Sequence, residues 1–115
     1  MILLLSANWP QRALLRAQLR ADTGRDVVAV DTPEDALHWL DDSDFDLMVL
    51  DTQGLQPNED LLSTVRARKL PVVLVTGAFD EPSWGSHYSA LDVRARLVRP
   101  VFIGEVSRAA REGIT

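Results

Sequence analysis

The sequence has no cysteine and only two histidines, His38 and His87, among its 115 residues. The absence of cysteine excludes disulfides, thiolate catalysis, zinc–thiolate sites and iron–sulfur clusters. With two histidines, neither a multi-histidine metal site nor a histidine-activated nucleophile is favoured. Long apolar runs are also absent: Met1–Leu5 is far shorter than the ~20 residues of a membrane span, and too short for a signal peptide. We therefore expect a cytoplasmic protein.

Positive charge is scarce, because 17 acidic side chains outnumber 12 basic ones and give a net charge of −5. This balance argues against general nucleic-acid binding through phosphate neutralisation. The charges are unevenly spread. Residues 1–21 carry three arginines and no acid, whereas residues 22–60 carry twelve acids and one base, Arg25. The hydrophobic fraction of 46% and the charged fraction of 25% are typical of a folded globular domain.

Five short apolar runs alternate with amphipathic stretches along the chain. They predict strands at Ile2–Leu5, Val27–Val30, Leu47–Leu50, Val72–Val75 and Ala95–Val98. Uninterrupted apolar strands are typical of a parallel sheet that is covered on both faces.

Helix signals lie between the predicted strands. Three stretches begin at residue types that commonly cap helices: Asn8, Thr32 and Asn58. A weaker fourth helix is expected within Ser83–Leu91, where Gly85 and several serines lower helix propensity, and a fifth begins near Ile103. Strands that alternate with helices indicate right-handed βαβ units. We predict an α/β fold with a doubly wound, five-stranded parallel sheet of order 2-1-3-4-5, of the flavodoxin-like (αβ)5 type.

The carboxyl ends of the central strands are where sites lie in such a fold. Asp51 ends the third strand, Thr76 ends the fourth, and Arg99 follows the fifth. A carboxylate, a hydroxyl and a guanidinium from three strand ends can form an anion or phosphoryl site, and Arg99 can pair with Asp51 or with an anion. The alternative is a salt-bridged sheet edge without a ligand.

Three segments carry a resemblance to a known family: Phe45–Asp51 (FDLMVLD), Leu70–Gly77 (LPVVLVTG) and Leu97–Phe102 (LVRPVF). In this order, and spread over the five-fold β-α alternation, they resemble the receiver domain of bacterial response regulators along the whole chain. The resemblance implies the receiver fold and a role in two-component or phosphorelay signalling. It also implies that Asp51 is the position phosphorylated by a histidine kinase and that Thr76 is the switch hydroxyl.

The other receiver positions depart from the family pattern. The acidic pair that holds magnesium falls on Ser6 and Ala7, the lysine on Arg99, and the aromatic that rotates with the switch hydroxyl on Arg96. Magnesium requires near-octahedral oxygen ligands, normally with one or two carboxylates, and only Asp51 remains. We therefore expect a degenerate receiver, or pseudo-receiver, that needs no cofactor and acts through protein contacts. The alternatives are a receiver that uses magnesium and is phosphorylated, and a small-ligand sensor.

The expected partners are proteins, not nucleic acid or membrane: a histidine kinase, an output domain or a second copy. In receivers the face formed by the fourth helix, fifth strand and fifth helix commonly mediates dimerisation or output contacts. Here that face would hold Trp84, Tyr88, Arg94, Arg96, Arg108 and Arg111. Alternatively, the two aromatic residues cover the sheet edge.

Four further expectations concern single features and the extent of the chain. Trp39 is expected to pack against the core. The arginine row at positions 12, 16 and 20 is expected to form a solvated helix face, the alternative being a docking surface for an acidic partner. No catalysis is expected, because the loop after the first strand lacks the glycine of a phosphate loop and the two histidines suggest no triad. Residues 1–115 form one domain, which could be a fragment of a longer regulator or hybrid kinase.

Overall fold

The computed structural model describes residues 1–77 and 81–114. Strands and helices alternate along these residues in the order β1 (Ile2–Leu5), α1 (Trp9–Thr23), β2 (Val27–Val30), α2 (Pro33–Asp42), β3 (Leu47–Asp51), α3 (Glu59–Ala67), β4 (Pro71–Thr76), α4 (Glu81–Tyr88), β5 (Asp92–Val98) and α5 (Ile103–Ile114). The strands form one parallel sheet of order β2-β1-β3-β4-β5. The predicted fold class and strand order are confirmed.

The predicted capping residues begin three of the helices. In each case a side-chain oxygen accepts a hydrogen bond from a backbone N–H three residues later: Asn8 from Gln11 at 3.3 Å, Thr32 from Asp35 at 3.1 Å, and Asn58 from Leu61 at 2.9 Å. Gly24 ends α1 with a φ of 70°, a left-handed conformation that glycine adopts without steric cost. These local signals place the helices between the strands and so keep all five strands parallel.

The core forms two apolar layers, one on each face of the sheet. Helices α1 and α5 cover one face through Leu15, Leu19, Val106 and Ala110. Helices α2, α3 and α4 cover the other face through Ala36, Leu40, Leu61, Leu62, Val65, Trp84 and Tyr88. Every residue of β1 and β3 is buried, as expected for central strands that are covered on both faces.

One expectation about aromatic residues was wrong, that of Trp39 in the core, and for Trp84 and Tyr88 the structure bears out the alternative that they cover the sheet. Trp39 lies on the outer side of α2 with 41% of its surface exposed, whereas Trp84 and Tyr88 are buried at 2% and 9% exposure. The Trp84 and Tyr88 rings stack with centroids 6.3 Å apart, and Trp84 Nε1 donates to the Leu55 carbonyl at 3.1 Å. These two large rings cover the sheet beneath the eight-residue helix α4. They therefore do not form an exposed interface anchor in this structure.

Candidate functional site

The candidate site lies at the edge of the sheet where β1, β3, β4 and β5 end. Leu5 pairs in register with Leu50, Asp51 with Val75, and Thr76 with Val98. Because the strands are parallel, the residues at and just after their ends meet at one edge. Ser6 and Arg99 both contact Asp51 at this edge, and the Arg99 backbone N–H reaches the carbonyl of Thr76.

Asp51 is the centre of this site, and its side chain is only 3% exposed. Its Oδ1 accepts a hydrogen bond from Arg99 Nη1 at 2.5 Å and another from the Gln53 backbone N–H at 3.1 Å. Its Oδ2 accepts from the Ser6 hydroxyl at 3.3 Å. A buried carboxylate is tolerated only when it is paired and hydrogen-bonded. Both oxygens of Asp51 meet that requirement with groups of the chain itself.

Arg99 is held against the ends of both β3 and β4. Its Nη1 donates to the Val75 carbonyl at 3.0 Å as well as to Asp51, and its backbone N–H donates to the Thr76 carbonyl at 2.7 Å. The side chain is 17% exposed. The sequence left open whether Arg99 pairs with Asp51 or with an anion. In this structure it pairs with Asp51.

Thr76 differs from its polar neighbours in the site. Its side chain is fully buried, and its Oγ1 has no hydrogen-bond partner within the part of the chain that the structure describes. The nearby Thr52 hydroxyl, by comparison, donates to the Val75 carbonyl at 3.3 Å. A buried hydroxyl without a partner costs free energy. Within the described residues the Thr76 hydroxyl is thus buried and unpaired.

The β1 end of the site holds Ser6, Ala7 and one residue that sequence reasoning missed. The Ser6 side chain is buried beside Asp51, whereas Ala7 is exposed. Arg12 Nη1 donates to the Ser6 carbonyl at 2.8 Å. Arg12 was expected to be part of a solvated helix face. The turn between β1 and α1 brings the Arg12 guanidinium close to the Ser6 carbonyl, a contact that the sequence pattern does not indicate.

The donor groups at this edge differ from the carboxylate-rich set that usually binds magnesium. Of the three positions that correspond to the magnesium ligands of receiver domains, Asp51 alone has a carboxylate. Ser6 has a hydroxyl and Ala7 a methyl group. Among the described residues no cluster of three or more His, Asp or Glu side chains could hold a metal. A guanidinium already occupies Asp51 Oδ1, and its positive charge opposes a second cation there. The guanidinium of Arg99 thus supplies a positive charge beside Asp51. A receiver that binds magnesium here would instead need further carboxylates as ligands.

The position of the rotating aromatic is occupied by a cation. Arg96 is exposed on β5, and its guanidinium carbon lies 4.9 Å from the centroid of the buried Tyr88 ring. Such a contact is a cation–π interaction. A side chain that rotates inward beside Thr76 would here have to carry a charge into the core, which is unfavourable.

Two arginines of the predicted interface are paired within their own element. Arg94 binds Asp92 through two hydrogen bonds of 3.0 Å each, and the resulting ion pair lowers the pKa of the Asp92 carboxyl. Arg108 Nε lies 3.5 Å from Glu112 Oε1, one turn further along α5. Arg111 is exposed on the same helix. The basic character of the fourth helix, fifth strand and fifth helix face is therefore partly neutralised.

The structure resembles solved receiver domains, although no family model and no curated protein matches the sequence. The receiver domain of NtrX from Brucella abortus superposes with a TM-score of 0.78 at 21% identity, covering 99% of this chain and 98% of that one. A response regulator receiver domain protein from Clostridium thermocellum has a TM-score of 0.78 at 18% identity, with 98% and 92% covered. A sensor protein from Polaromonas sp. JS666 has a TM-score of 0.78 at 22% identity, with 98% and 94% covered.

These similarities define the class of the structure. The chain has the flavodoxin-like receiver fold, and its structural neighbours include response regulator receiver domains. At such low identities the similarity establishes the fold, and function has to be argued from the site. No helix in residues 1–77 and 81–114 combines the length and apolarity needed to cross a membrane.

Proposed function

We propose that this domain is a signalling module of the receiver type that acts through protein–protein contacts, without magnesium-dependent phosphorylation of Asp51. The observation that supports this proposal is the ion pair between Arg99 and the buried Asp51. In the proposed state the carboxylate is neutralised by the chain itself. The conformation of the site then does not depend on a metal ion or on a phosphoryl group.

Phosphoryl transfer makes demands that this arrangement meets poorly. A carboxylate oxygen must attack phosphorus with a free electron pair, and cations must neutralise the charge on the transferred group. Here Oδ1 accepts two hydrogen bonds and Oδ2 accepts one from Ser6. The missing acidic pair removes the ligands that would hold a divalent cation beside the reacting oxygens. The positioning and charge neutralisation that a divalent cation would supply are then missing, so the transfer should be slow.

The proposed partners are proteins: a histidine kinase, an output domain or a second copy of the chain, all in the cytoplasm. The domain itself is proposed to be non-enzymatic. A homodimer through α4, β5 and α5 remains a prediction. Because Trp84 and Tyr88 are buried, contacts on that face would depend on the exposed side chains Arg94, Arg96, Arg108 and Arg111.

One observation favours a second candidate, a working receiver that is phosphorylated on Asp51. Thr76 Oγ1 is buried without a hydrogen-bond partner in the described part of the chain, and a phosphoryl oxygen on Asp51 would supply an acceptor. In that state Arg99 would have to leave the carboxylate and bind the phosphoryl group, as a guanidinium can. The two candidates differ in whether this exchange takes place.

Intact-mass spectrometry with acetyl phosphate and magnesium separates the two candidates. We expect no phosphoryl adduct on the wild-type chain, and no change in the NMR resonances of Thr76 when beryllofluoride is added. The control is the variant Asp51→Asn, which cannot form an acyl phosphate at this position. An adduct that forms on the wild type and is absent from Asp51→Asn, with shifts that extend from Thr76 to β5, would establish the second candidate instead.

A matched variant tests the physical reason for the absence of transfer. The triple substitution Ser6→Asp, Ala7→Asp and Arg99→Lys rebuilds the acidic pair and replaces the guanidinium with the ammonium group found in the family. We expect this variant to gain an Asp51-dependent adduct under the same conditions. If the rebuilt chain folds, as shown by circular dichroism, and still gains no adduct, the missing ligands are not the cause.

A further inference from the structure

Helix α1 presents an exposed ridge of one aromatic and three basic side chains. Trp9, Arg12, Arg16 and Arg20 follow one another at steps of three, four and four residues, which places them on one side of the helix. Trp9 is 68% exposed, Arg16 and Arg20 are exposed, and Arg12 is partly buried. The first turn of α1 contains no acidic residue. We call these four residues the α1 ridge.

The charges of the α1 ridge have no carboxylate partner within the described residues. Arg12 and Arg16 donate instead to the backbone carbonyls of Ser6 and Val27. Elsewhere in the structure, Arg25 binds a carboxylate at 2.6 Å. Like charges one turn apart repel each other and destabilise a helix slightly. The α1 ridge is therefore a basic surface whose arginines do not pair with described carboxylates of the same molecule.

Helix α2 presents a ridge of the opposite sign. Asp35, Trp39 and Asp42 are spaced four and three residues apart on its outer side, and all three are exposed. The nearest basic atom to Asp42 is Nε2 of His38, at 3.8 Å and highly exposed. Asp42 stands at the carboxyl end of the helix, where the helix dipole disfavours negative charge, and the last turn of α2 contains no basic residue. We call these three residues the α2 ridge.

We propose that the α1 ridge of one copy binds the α2 ridge of a second copy. The guanidinium groups would pair with Asp35 and Asp42, and an arginine or Trp9 would pack on the exposed ring of Trp39. The contact would relieve the repulsion among the arginines of the α1 ridge. The two ridges belong to helices on opposite faces of the same sheet, so each must find its complement on another molecule. This interface goes beyond the function proposed for Asp51 and does not depend on it.

The size and chemistry of the two ridges set the expected strength. A single pair of helix ridges buries less than the roughly 1,200 Å² at which stable protein interfaces begin. Its charges lie at the surface, where the screening length is about 10 Å at 0.1 M salt. We therefore expect weak association that is visible at hundreds of micromolar protein in low salt and disappears in high salt.

Sedimentation equilibrium of charge-reversed variants tests this interface. One variant carries Arg16→Glu and Arg20→Glu, and the other carries Asp35→Lys and Asp42→Lys. Each should be monomeric alone, since its two ridges then have the same sign. An equimolar mixture should associate again, because each variant offers the ridge that the other lacks. Circular dichroism checks that both variants fold.

The matched control is Leu14→Ala. Leu14 is 61% exposed on α1, but it lies on a different side of the helix from the α1 ridge, so its removal should leave the association unchanged. The proposal is overturned if the wild type stays monomeric at hundreds of micromolar in low salt. It is also overturned if either variant alone still associates, or if the mixture does not.

Discussion

Strand β3 has an aspartate at each end, and the two carboxylates have opposite surroundings. Asp46 immediately precedes the strand, is 42% exposed, and binds the N-terminal ammonium at 2.8 Å and Arg25 at 2.6 Å. Asp51 ends the strand, is 3% exposed, and binds Arg99 together with the Gln53 N–H and the Ser6 hydroxyl. The same side chain meets cations at both edges of the sheet, once in solvent and once in the protein interior.

The comparison shows that burial, and not the presence of an ion pair, distinguishes a site from a surface contact. Exposed pairs are screened by solvent and contribute about 0–1 kcal/mol. In a buried pair each charge depends on the other, because an uncompensated charge inside the protein is costly. The buried carboxylate of Asp51 therefore depends on the positive charge of Arg99. A metal ion or a phosphoryl group would have to displace that arginine.

The largest difference between the two edges should appear when each arginine is removed. Arg99→Ala leaves Asp51 buried without its cation and should lower the free energy of unfolding by about 3 kcal/mol. Arg25→Ala, the matched change at the exposed edge, should cost less than about 1 kcal/mol. Urea unfolding monitored by the fluorescence of the buried Trp84 measures both. Equal losses would show that burial does not separate the two pairs.

Removing the carboxylate should have a smaller effect than removing the arginine. Asp51→Asn keeps a hydrogen-bonding side chain of the same shape, and the partly exposed Arg99 can turn toward water. We expect a loss of about 1.5 kcal/mol, the scale of hydrogen bonds to charged groups. The same unfolding experiment applies. If Asp51→Asn lowered the free energy of unfolding more than Arg99→Ala does, the unpaired charge of Arg99 would be costlier than the unpaired charge of Asp51.

The contribution of the exposed Asp46 to stability should depend on pH in the acid range. The hydrogen bond from the N-terminal ammonium, together with the charge of that group and of Arg25, lowers the pKa of the Asp46 carboxyl. A lowered folded-state pKa stabilises the fold fully above the unfolded value of about 3.9, and this stabilisation is lost as the pH falls through the folded pKa. Asp46→Asn should therefore lose less than about 1 kcal/mol at neutral pH. Below about pH 4 its difference from the wild type should shrink, and a constant difference at every pH would contradict this origin.

The smallest effect is expected at the unpartnered hydroxyl. Thr76→Val removes a buried hydroxyl that has no hydrogen-bond partner in the described residues, so stability should stay within about 0.5 kcal/mol of the wild type or rise. Thr52→Val is the matched change and removes a hydroxyl that donates to the Val75 carbonyl. That variant should lose about 1 kcal/mol. Thermal unfolding of both variants makes the comparison, which fails if Thr76→Val is the more damaging change.

Much of the fold could be predicted because its signals are local. Apolar runs marked each strand to within a few residues, and Asn8, Thr32 and Asn58 begin helices as their residue types suggest. Trp39 was misplaced although α2 is clearly amphipathic, because a large aromatic ring can also lie on the outer side of a helix. The alternatives for Trp84 and Tyr88 stayed open because the local pattern there is weak. Helix α4 has little amphipathic pattern, so nothing in the sequence showed that Trp84 and Tyr88 face inward.

The residues of the site could be named from the sequence, but their contacts could not. Asp51, Thr76 and Arg99 are adjacent because parallel strands end together, which the predicted topology implies. Whether Arg99 binds the carboxylate or an anion depends on side-chain geometry across 48 positions of the chain. The contact of Arg12 with the Ser6 carbonyl depends likewise on the turn into α1. No sequence pattern predicts either contact.

A magnesium titration followed by two-dimensional NMR tests the central claim most directly, which is that Arg99 takes the place of a metal at Asp51. The wild-type amide resonances of Thr52 and Gln53 should not shift saturably in millimolar magnesium. The same resonances in the Ser6→Asp, Ala7→Asp and Arg99→Lys variant should do so. Saturable shifts in the wild type that disappear in Asp51→Asn would contradict the claim, because the carboxylate would then bind magnesium despite its arginine.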